Sequence, residues 1–224
     1  MPTVEAVIFD LDDTLYPERA FAFSGFAAVA TAFEDQLGDP AAATERMRQL
    51  FDTDHRPRVF NAMLEDRGLP EYRDLLASMI ETYRTHMPSI ELYPDADEAL
   101  TQLRGNYKLG LISDGPLDTQ RNKIDALKLR GRLDEIIITS ELGPNRGKPD
   151  PTAFKLMSER LGVEHRSCMY VADNAAKDFV APNALGWTTV RIIRPDGIYS
   201  DVITAPGGKP ACTIRELHEI PGLA

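Results

Sequence analysis

Four short segments of this chain carry side chains whose types and spacing suit chemistry on a phosphate. They are Asp10-Leu11-Asp12-Asp13-Thr14, Ser113-Asp114-Gly115, Gly147-Lys148-Pro149, and Asp173-Asn174 with Asp178 a few residues on. Each is weak alone, because an Asp after a strand usually serves as a helix cap or turn residue. Together they put several carboxylates and one lysine in a consistent chain order. Carboxylates crowded into one crevice repel each other and raise each other's pKa. A hard divalent cation removes that conflict. Magnesium prefers oxygen ligands: a few carboxylates, retained waters and a substrate phosphate. A lone lysine among them is placed to neutralise a phosphoryl oxygen or to keep a nucleophile ionised. Asp10 and Asp12 are two residues apart, so a regular strand would point both side chains the same way.

The elements that must position these residues are readable from hydrophobic pattern. Val4 to Phe9 is a short apolar run of the kind that forms a buried strand. Leu109 to Ile112, Ile136 to Thr139, Met169 to Ala172 and Thr188 to Ile193 are four more. Helical patterns separate them: Ala96 to Leu103, Gln120 to Leu129, and Pro151 to Leu161, the last with Pro at its start and Gly162 after its end. Strands alternating with helices predict an α/β fold, a Rossmann-like, doubly wound parallel sheet. Ligands of such sheets lie beyond the carboxyl ends of the strands, which is where the carboxylates fall. The stretch between the first two strands has no convincing strand. Phe21 to Leu37, Ala41 to Phe51, Arg58 to Arg67 and Tyr72 to Thr85 read as amphipathic helices, with turns at Gly38-Asp39-Pro40 and Gly68-Leu69-Pro70. The expected organisation is a catalytic core of 1–16 and 91–224 with an all-helical cap inserted at 17–90. Tyr16-Pro17 and Leu92-Tyr93-Pro94 serve as hinges. Pro206 to Pro210 reads as a loop before a final helix near Arg215 to Ile220.

These four motifs resemble those of the haloacid dehalogenase-like hydrolases, a superfamily made up mostly of phosphatases. The first family motif, DxDx[TV], is matched by Asp10 to Thr14. The second, a Ser or Thr ending a core strand, is matched by Ser113. The third, a Lys, is matched by Lys148, and the fourth, an acidic pair, by Asp173 and Asp178. Ala172 stands where the family usually has Gly. The resemblance spans the whole chain, helical insertion included. It implies that Asp10 attacks phosphorus to form an aspartyl phosphate. Asp12 protonates the leaving oxygen and then activates water, while its carbonyl joins Asp10 in ligating Mg²⁺. Ser113 holds the phosphoryl group, Lys148 balances charge, Asp173 ligates the metal, and Asp178 supports the metal shell. The implied substrate is a small phosphorylated metabolite such as a sugar phosphate or nucleoside monophosphate. A haloacid dehalogenase needs no metal and lacks the second carboxylate of motif one, so Asp12 counts against that reading. A phosphomutase or other phosphotransferase shares all four motifs and remains an alternative. So does a non-catalytic binding protein on a hydrolase scaffold, although no motif residue is lost.

Other residues carry weaker expectations. Tyr16, Asp114 and Gly115 are candidate substrate contacts, as are Arg56 and Arg58 in the cap, where cations near a helix start suit a second anionic group. Asp13 reads as a solvated turn residue. The Phe21, Phe23, Phe26, Phe33 series reads as cap core. His55, His86, His165 and His218 lack metal-ligand spacing, which disfavours zinc. Cys168 and Cys212 form no disulfide framework and read as buried thiols in a reducing compartment. The net charge of −10 disfavours nucleic acid polymers and anionic membranes as partners, because both need a clustered basic surface. The N-terminal residues lack a signal-peptide pattern. The longest weakly charged stretch is Phe21 to Phe33, far short of the roughly 20 residues that span a bilayer. A cytoplasmic location is expected.

Overall fold

The structure is a computed structural model that describes residues 3–53, 55–69 and 73–222. Asp54, Pro70 and Tyr72 therefore lie outside the described residues. Contacts divide the chain into two compact units, Met1–Glu18 with Glu91–Ala224, and Arg19–Ile90.

The first unit is an α/β sheet domain. Its strands are β1 (Ala6–Phe9), β2 (Lys108–Ser113), β3 (Glu135–Ile138), β4 (Cys168–Ala172), β5 (Thr188–Ile192) and β6 (Cys212–Ile214). They pair in the order β3-β2-β1-β4-β5-β6, every pair parallel. The central strands β1 and β4 are buried at every position, as expected for strands covered on both faces. The strand order reverses between β1 and β4. In this topology the crevice beyond that point is where ligands bind. Phe9 lies opposite Leu111 on one side and Val171 on the other. That register brings the residues following β1, β2 and β4 to one end of the sheet.

Helix packing fixes the sheet below the crevice. The helix Thr152–Leu161 closes with Gly162 in a left-handed conformation, an ordinary C-terminal stop. The Phe154 ring packs edge-on against Tyr170 and Trp187, at centroid separations of 5.0 and 5.5 Å. Gly110 on β2 lets this helix approach: a Cβ there would sit 2.8 Å from Met157 Sδ. The helix predicted from Gln120 instead begins at Leu117 and ends at Ala126. Two features differ from the sequence reading at the C-terminus. Cys212–Ile214 adds a sixth strand, and the expected final helix is a 3₁₀ segment, Leu217–Gly222. Three residues with mixed burial give too short an alternation to read as a strand.

The second unit is helical. Glu18–Ala32, the short Glu34–Leu37, Pro40–Phe51, Val59–Asp66 and Arg73–Thr85 are its helices. The expected continuous helix from Phe21 to Leu37 breaks at Phe33, whose backbone leaves the helical region (φ −119°, ψ 33°). Pro40 opens the next helix and Asp39 caps it, accepting from Ala42 N at 2.8 Å. Phe26 contacts Phe51, Phe60 and Tyr83 at centroid distances of 5.9, 6.0 and 5.9 Å. Among the described residues no helix is long and apolar enough to cross a membrane.

Candidate active site

The crevice end of the sheet collects the motif residues. Asp10 follows β1, and its backbone N–H donates to the Val171 carbonyl of β4 at 2.9 Å. Beyond Asp10 the chain leaves the strand. Asp13 adopts φ 50°, and Leu15 N donates to Leu11 O at 3.0 Å. Asp10 and Asp12 nonetheless line one cleft. Their carboxylates engage different cations: Lys148 Nζ lies 2.5 Å from Asp10 Oδ1, and Lys123 Nζ lies 2.6 Å from Asp12 Oδ1.

Asp13 is not the solvated turn residue expected. It is 1% exposed. Its carboxylate accepts from Glu18 N at 2.8 Å and Ile198 N at 2.7 Å, tying the motif-one turn to the loop after β5. Arg194, from the same loop, donates to Thr14 O and to Asp95 Oδ2, both at 2.8 Å. The turn that carries Asp10 and Asp12 is thus fixed by buried hydrogen bonds.

Lys148 is fully enclosed and meets three oxygens. Besides Asp10, these are Asp178 Oδ1 at 2.8 Å and Tyr170 Oη at 3.1 Å. Asp178 also accepts from Asn174 N at 3.0 Å. Asp173 Oδ2 and Asp178 Oδ1 are both buried without a hydrogen-bond partner, but Asp178 Oδ1 has the Lys148 ammonium at ion-pair distance. Oxygens of Asp10, Asp173 and Asp178 all lie within 4.8 Å of one another. Burial raises the Asp10 pKa, Lys148 pulls it back, and the balance is about 6. Burial, then the charges of Asp10 and Asp178, push Asp173 up to about 9. This is the conflict among carboxylates anticipated from the sequence. These residues fit a hard cation: the donors are all carboxylate oxygens, and Asp173 Oδ2 is buried without a partner.

Asp12 has a different environment. Burial raises its pKa, but Lys123 and the hydrogen bonds from Lys123, Tyr16 and Gln120 outweigh it and lower the net value. Tyr16 is fully buried and donates its hydroxyl to Asp12 Oδ1. Its contact is therefore a carboxylate and not open space. Gln120 Nε2 donates to Ser113 Oγ at 2.5 Å, to Asp114 O at 2.8 Å and to Asp12 Oδ2 at 3.2 Å. Gly115 has φ 137°, and a Cβ there would meet Gln120 at 3.2 Å. Asp114 accepts from Thr139 Oγ1 at 2.8 Å and Lys148 N at 3.1 Å, and pairs with Lys177 Nζ at 2.9 Å.

Four residues here were missed by sequence reasoning: Gln120, Lys123, Lys177 and Glu18. The expected lone lysine is one of three. Gln120 and Lys123 are three apart on the helix that follows Ser113-Asp114-Gly115, and so share a face. That spacing was the available signal. Glu18 lines the polar cleft with Asp10, Asp12, Asp114, Asp173 and Lys177. Burial, then the charge of Asp12, raises it to about 8. Arg56 and Arg58 belong to the helical unit, where they border a cavity of about 260 Å³ together with Phe26, Phe60 and Tyr83. Arg56 lies over the Phe51 ring at 4.8 Å, and Arg58 pairs with Glu65 at 3.0 Å.

Comparison with known proteins agrees with this architecture. A family model described as haloacid dehalogenase-like hydrolase matches residues 4–186, and the chain belongs to that family. A glyceraldehyde 3-phosphate phosphatase of Methanopyrus kandleri is 32% identical over 207 residues, covering 89% of this chain and 87% of that protein. The crystal structure of a HAD phosphatase from Thermococcus onnurineus shares 26% identity at a TM-score of 0.62, over 98% of this chain and 97% of that one. A 2-haloacid dehalogenase from Pseudomonas syringae pv. Tomato DC3000, at 24% identity and a TM-score of 0.65 over 99% and 98% of the two chains, shares the fold.

Proposed function

We propose that this chain is a cytoplasmic Mg²⁺-dependent phosphohydrolase of small phosphate monoesters that acts through an aspartyl phosphate on Asp10. The observation that carries the reading is the Asp10–Lys148 pair beside Asp173, whose buried Oδ2 has no partner. Asp10, Asp173 and the Asp12 carbonyl would hold the cation. Asp178 has both oxygens engaged, by Lys148 and by Asn174 N, which suits a supporting role. When bound, Mg²⁺ supplies positive charge against the carboxylates and the phosphoryl oxygens.

The residues then divide the work. Lys148 keeps the Asp10 carboxylate ionised and in place. Asp10 Oδ bonds to phosphorus as the bond from phosphorus to the leaving oxygen breaks, and the leaving oxygen takes a proton from Asp12. In the second half, water attacks phosphorus, gives its proton to Asp12, and the bond to Asp10 breaks. The hydrogen bonds to Asp12 favour its ionised form, which suits the base half directly. Ser113 and the neighbouring amides hold the phosphoryl oxygens. A dehalogenase has no need of the second carboxylate, yet Asp12 here is held by three side chains.

The M. kandleri relative's name supports a sugar phosphate or a similarly small metabolite as substrate. The helical unit supplies specificity as a cap, with Arg56 and Arg58 as candidate contacts for a second anionic group. The test is phosphate release from an aryl phosphate and a panel of phosphorylated metabolites, with and without Mg²⁺. Release that needs Mg²⁺ and stops with a chelator supports the reading. Full activity in excess chelator contradicts it.

A further inference from the structure

Lys177 is not part of the assignments above, and its position is unusual. It follows β4, in the turn between Asp173 and Asp178. That turn is fixed by its own hydrogen bonds: Asp178 N and Lys177 N donate to Asn174 O at 3.0 and 3.2 Å, and Ala176 N donates to Asn174 Oδ1 at 3.0 Å. The two neighbours diverge from this turn. Asp178 points inward to Lys148, and Lys177 reaches Asp114 Oδ2 at 2.9 Å. Asp114 follows β2. In the sheet, β1 lies between β2 and β4. The Lys177–Asp114 pair therefore spans the end of the strand that carries Asp10.

Lys148 and Lys177 are not equivalent. The Lys148 side chain is 0% exposed and committed to two carboxylates, whereas that of Lys177 is 37% exposed and, among the described residues, forms an ion pair with Asp114 alone. Lys177 lines the polar cleft with Asp10, Asp12 and Asp173. Asp114 itself is anchored from the other side by Thr139 and by Lys148 N. With one side of the Lys177 side chain open to solvent, the pair can share its cation with an incoming anion. A phosphate dianion entering the cleft meets the carboxylates of Asp10, Asp12, Glu18, Asp114 and Asp173, and among the described lining residues Lys177 is the cation.

We infer that Lys177 is a second phosphoryl-binding cation, paired with Asp114 here and shared with the outer phosphoryl oxygens when substrate binds. The inference rests on the phosphohydrolase reading of the site. It requires no covalent step of its own.

The experiment measures binding of inorganic phosphate in the presence of Mg²⁺ by calorimetry, together with kcat and KM for an aryl phosphate. Wild type, Lys177→Met, Lys177→Arg and Asp114→Asn are compared. Loss of one charge-assisted hydrogen bond predicts about 10- to 100-fold weaker phosphate binding and a similar fall in kcat/KM for Lys177→Met. Mg²⁺ affinity and melting temperature should stay at wild-type values in that variant, and Lys177→Arg should recover most of the loss. Asp114→Asn removes the competing carboxylate and should leave phosphate binding equal or tighter. Unchanged phosphate binding in Lys177→Met overturns the inference, as does a loss matched by equal loss of Mg²⁺ affinity. The calorimetric arm separates the two readings. A wild type that binds phosphate through Lys177 but hydrolyses no ester contradicts the phosphohydrolase reading alone. A wild type that hydrolyses esters with a Lys177→Met variant just as active contradicts Lys177 alone.

Discussion

Binding of Mg²⁺ to this site should expel close to one proton, and Asp173 should be its source. Burial and the neighbouring carboxylates raise Asp173 from the usual 3.8 to about 9. Without a cation it is therefore protonated at pH 7, and a cation must displace that proton to reach the carboxylate. Asp10, at about 6, is mostly ionised at pH 7 and adds only a small fraction. Between about pH 6 and 9 the linkage is then one proton per metal, so the apparent affinity should rise tenfold per pH unit, about 1.4 kcal/mol. Below about pH 6 the slope should steepen as Asp10 also takes up a proton. The assay is titration calorimetry with Mg²⁺ in two buffers of different ionisation enthalpy, whose heats differ by the protons released. Asp173→Asn should bind Mg²⁺ more weakly and release almost no proton at pH 7. Proton release near zero in the wild type, or unchanged release in Asp173→Asn, refutes the reasoning.

The same shift predicts a stability effect in the metal-free protein. Asp173 has a folded pKa above its unfolded value, so its contribution is complete below the usual carboxylate range and is lost as pH rises toward 9. Metal-free melting temperature should fall over that range, and Asp173→Asn should flatten the fall. Lys148→Met leaves Asp10 and Asp178 buried without their cation and should cost about 3–5 kcal/mol in urea denaturation, with Mg²⁺ restoring part of it. Asp12→Ala should slow alkyl phosphates by about 10²- to 10⁴-fold and slow an activated aryl phosphate far less. Rapid quench should then find phosphoenzyme accumulating, since water attack has lost its base. Equal slowing of both esters with no phosphoenzyme contradicts the role given to Asp12. Replacing Arg56 and Arg58 together with alanine should raise KM for the best metabolite in the panel while leaving the aryl phosphate unaffected. Unchanged KM for that metabolite removes the two arginines from substrate binding.

The sheet was legible because its central strands are buried on both faces and so read as unbroken apolar runs that end in polar residues. Asp10, Ser113 and Asp173 could be located by that rule alone. β6 was not legible, because Cys212–Ile214 is short and only Ile214 is buried. Asp13 was misread because its role depends on the loop after β5 folding back: Ile198 N is its partner 185 residues away. Lys123 and Gln120 required the orientation of the helix after β2, which hydrophobic period sets only loosely in a segment this polar. Lys177 required the strand order, since its partner Asp114 is adjacent only because β1 separates β2 from β4 by a single strand. The helix break at Phe33 was hidden by a run of helix-forming residues on both sides.

The central claim is that Asp10 carries the phosphoryl group. The direct measurement is rapid acid quench of the wild-type protein turning over a labelled phosphate monoester with Mg²⁺, followed by peptide mapping. The account predicts an acid-stable, hydroxylamine-labile phosphoryl group on the peptide that contains Asp10, absent in Asp10→Asn, which should also lose turnover while keeping its fold. Phosphate release at an undiminished rate by Asp10→Asn, or a label mapped to any other residue, contradicts it.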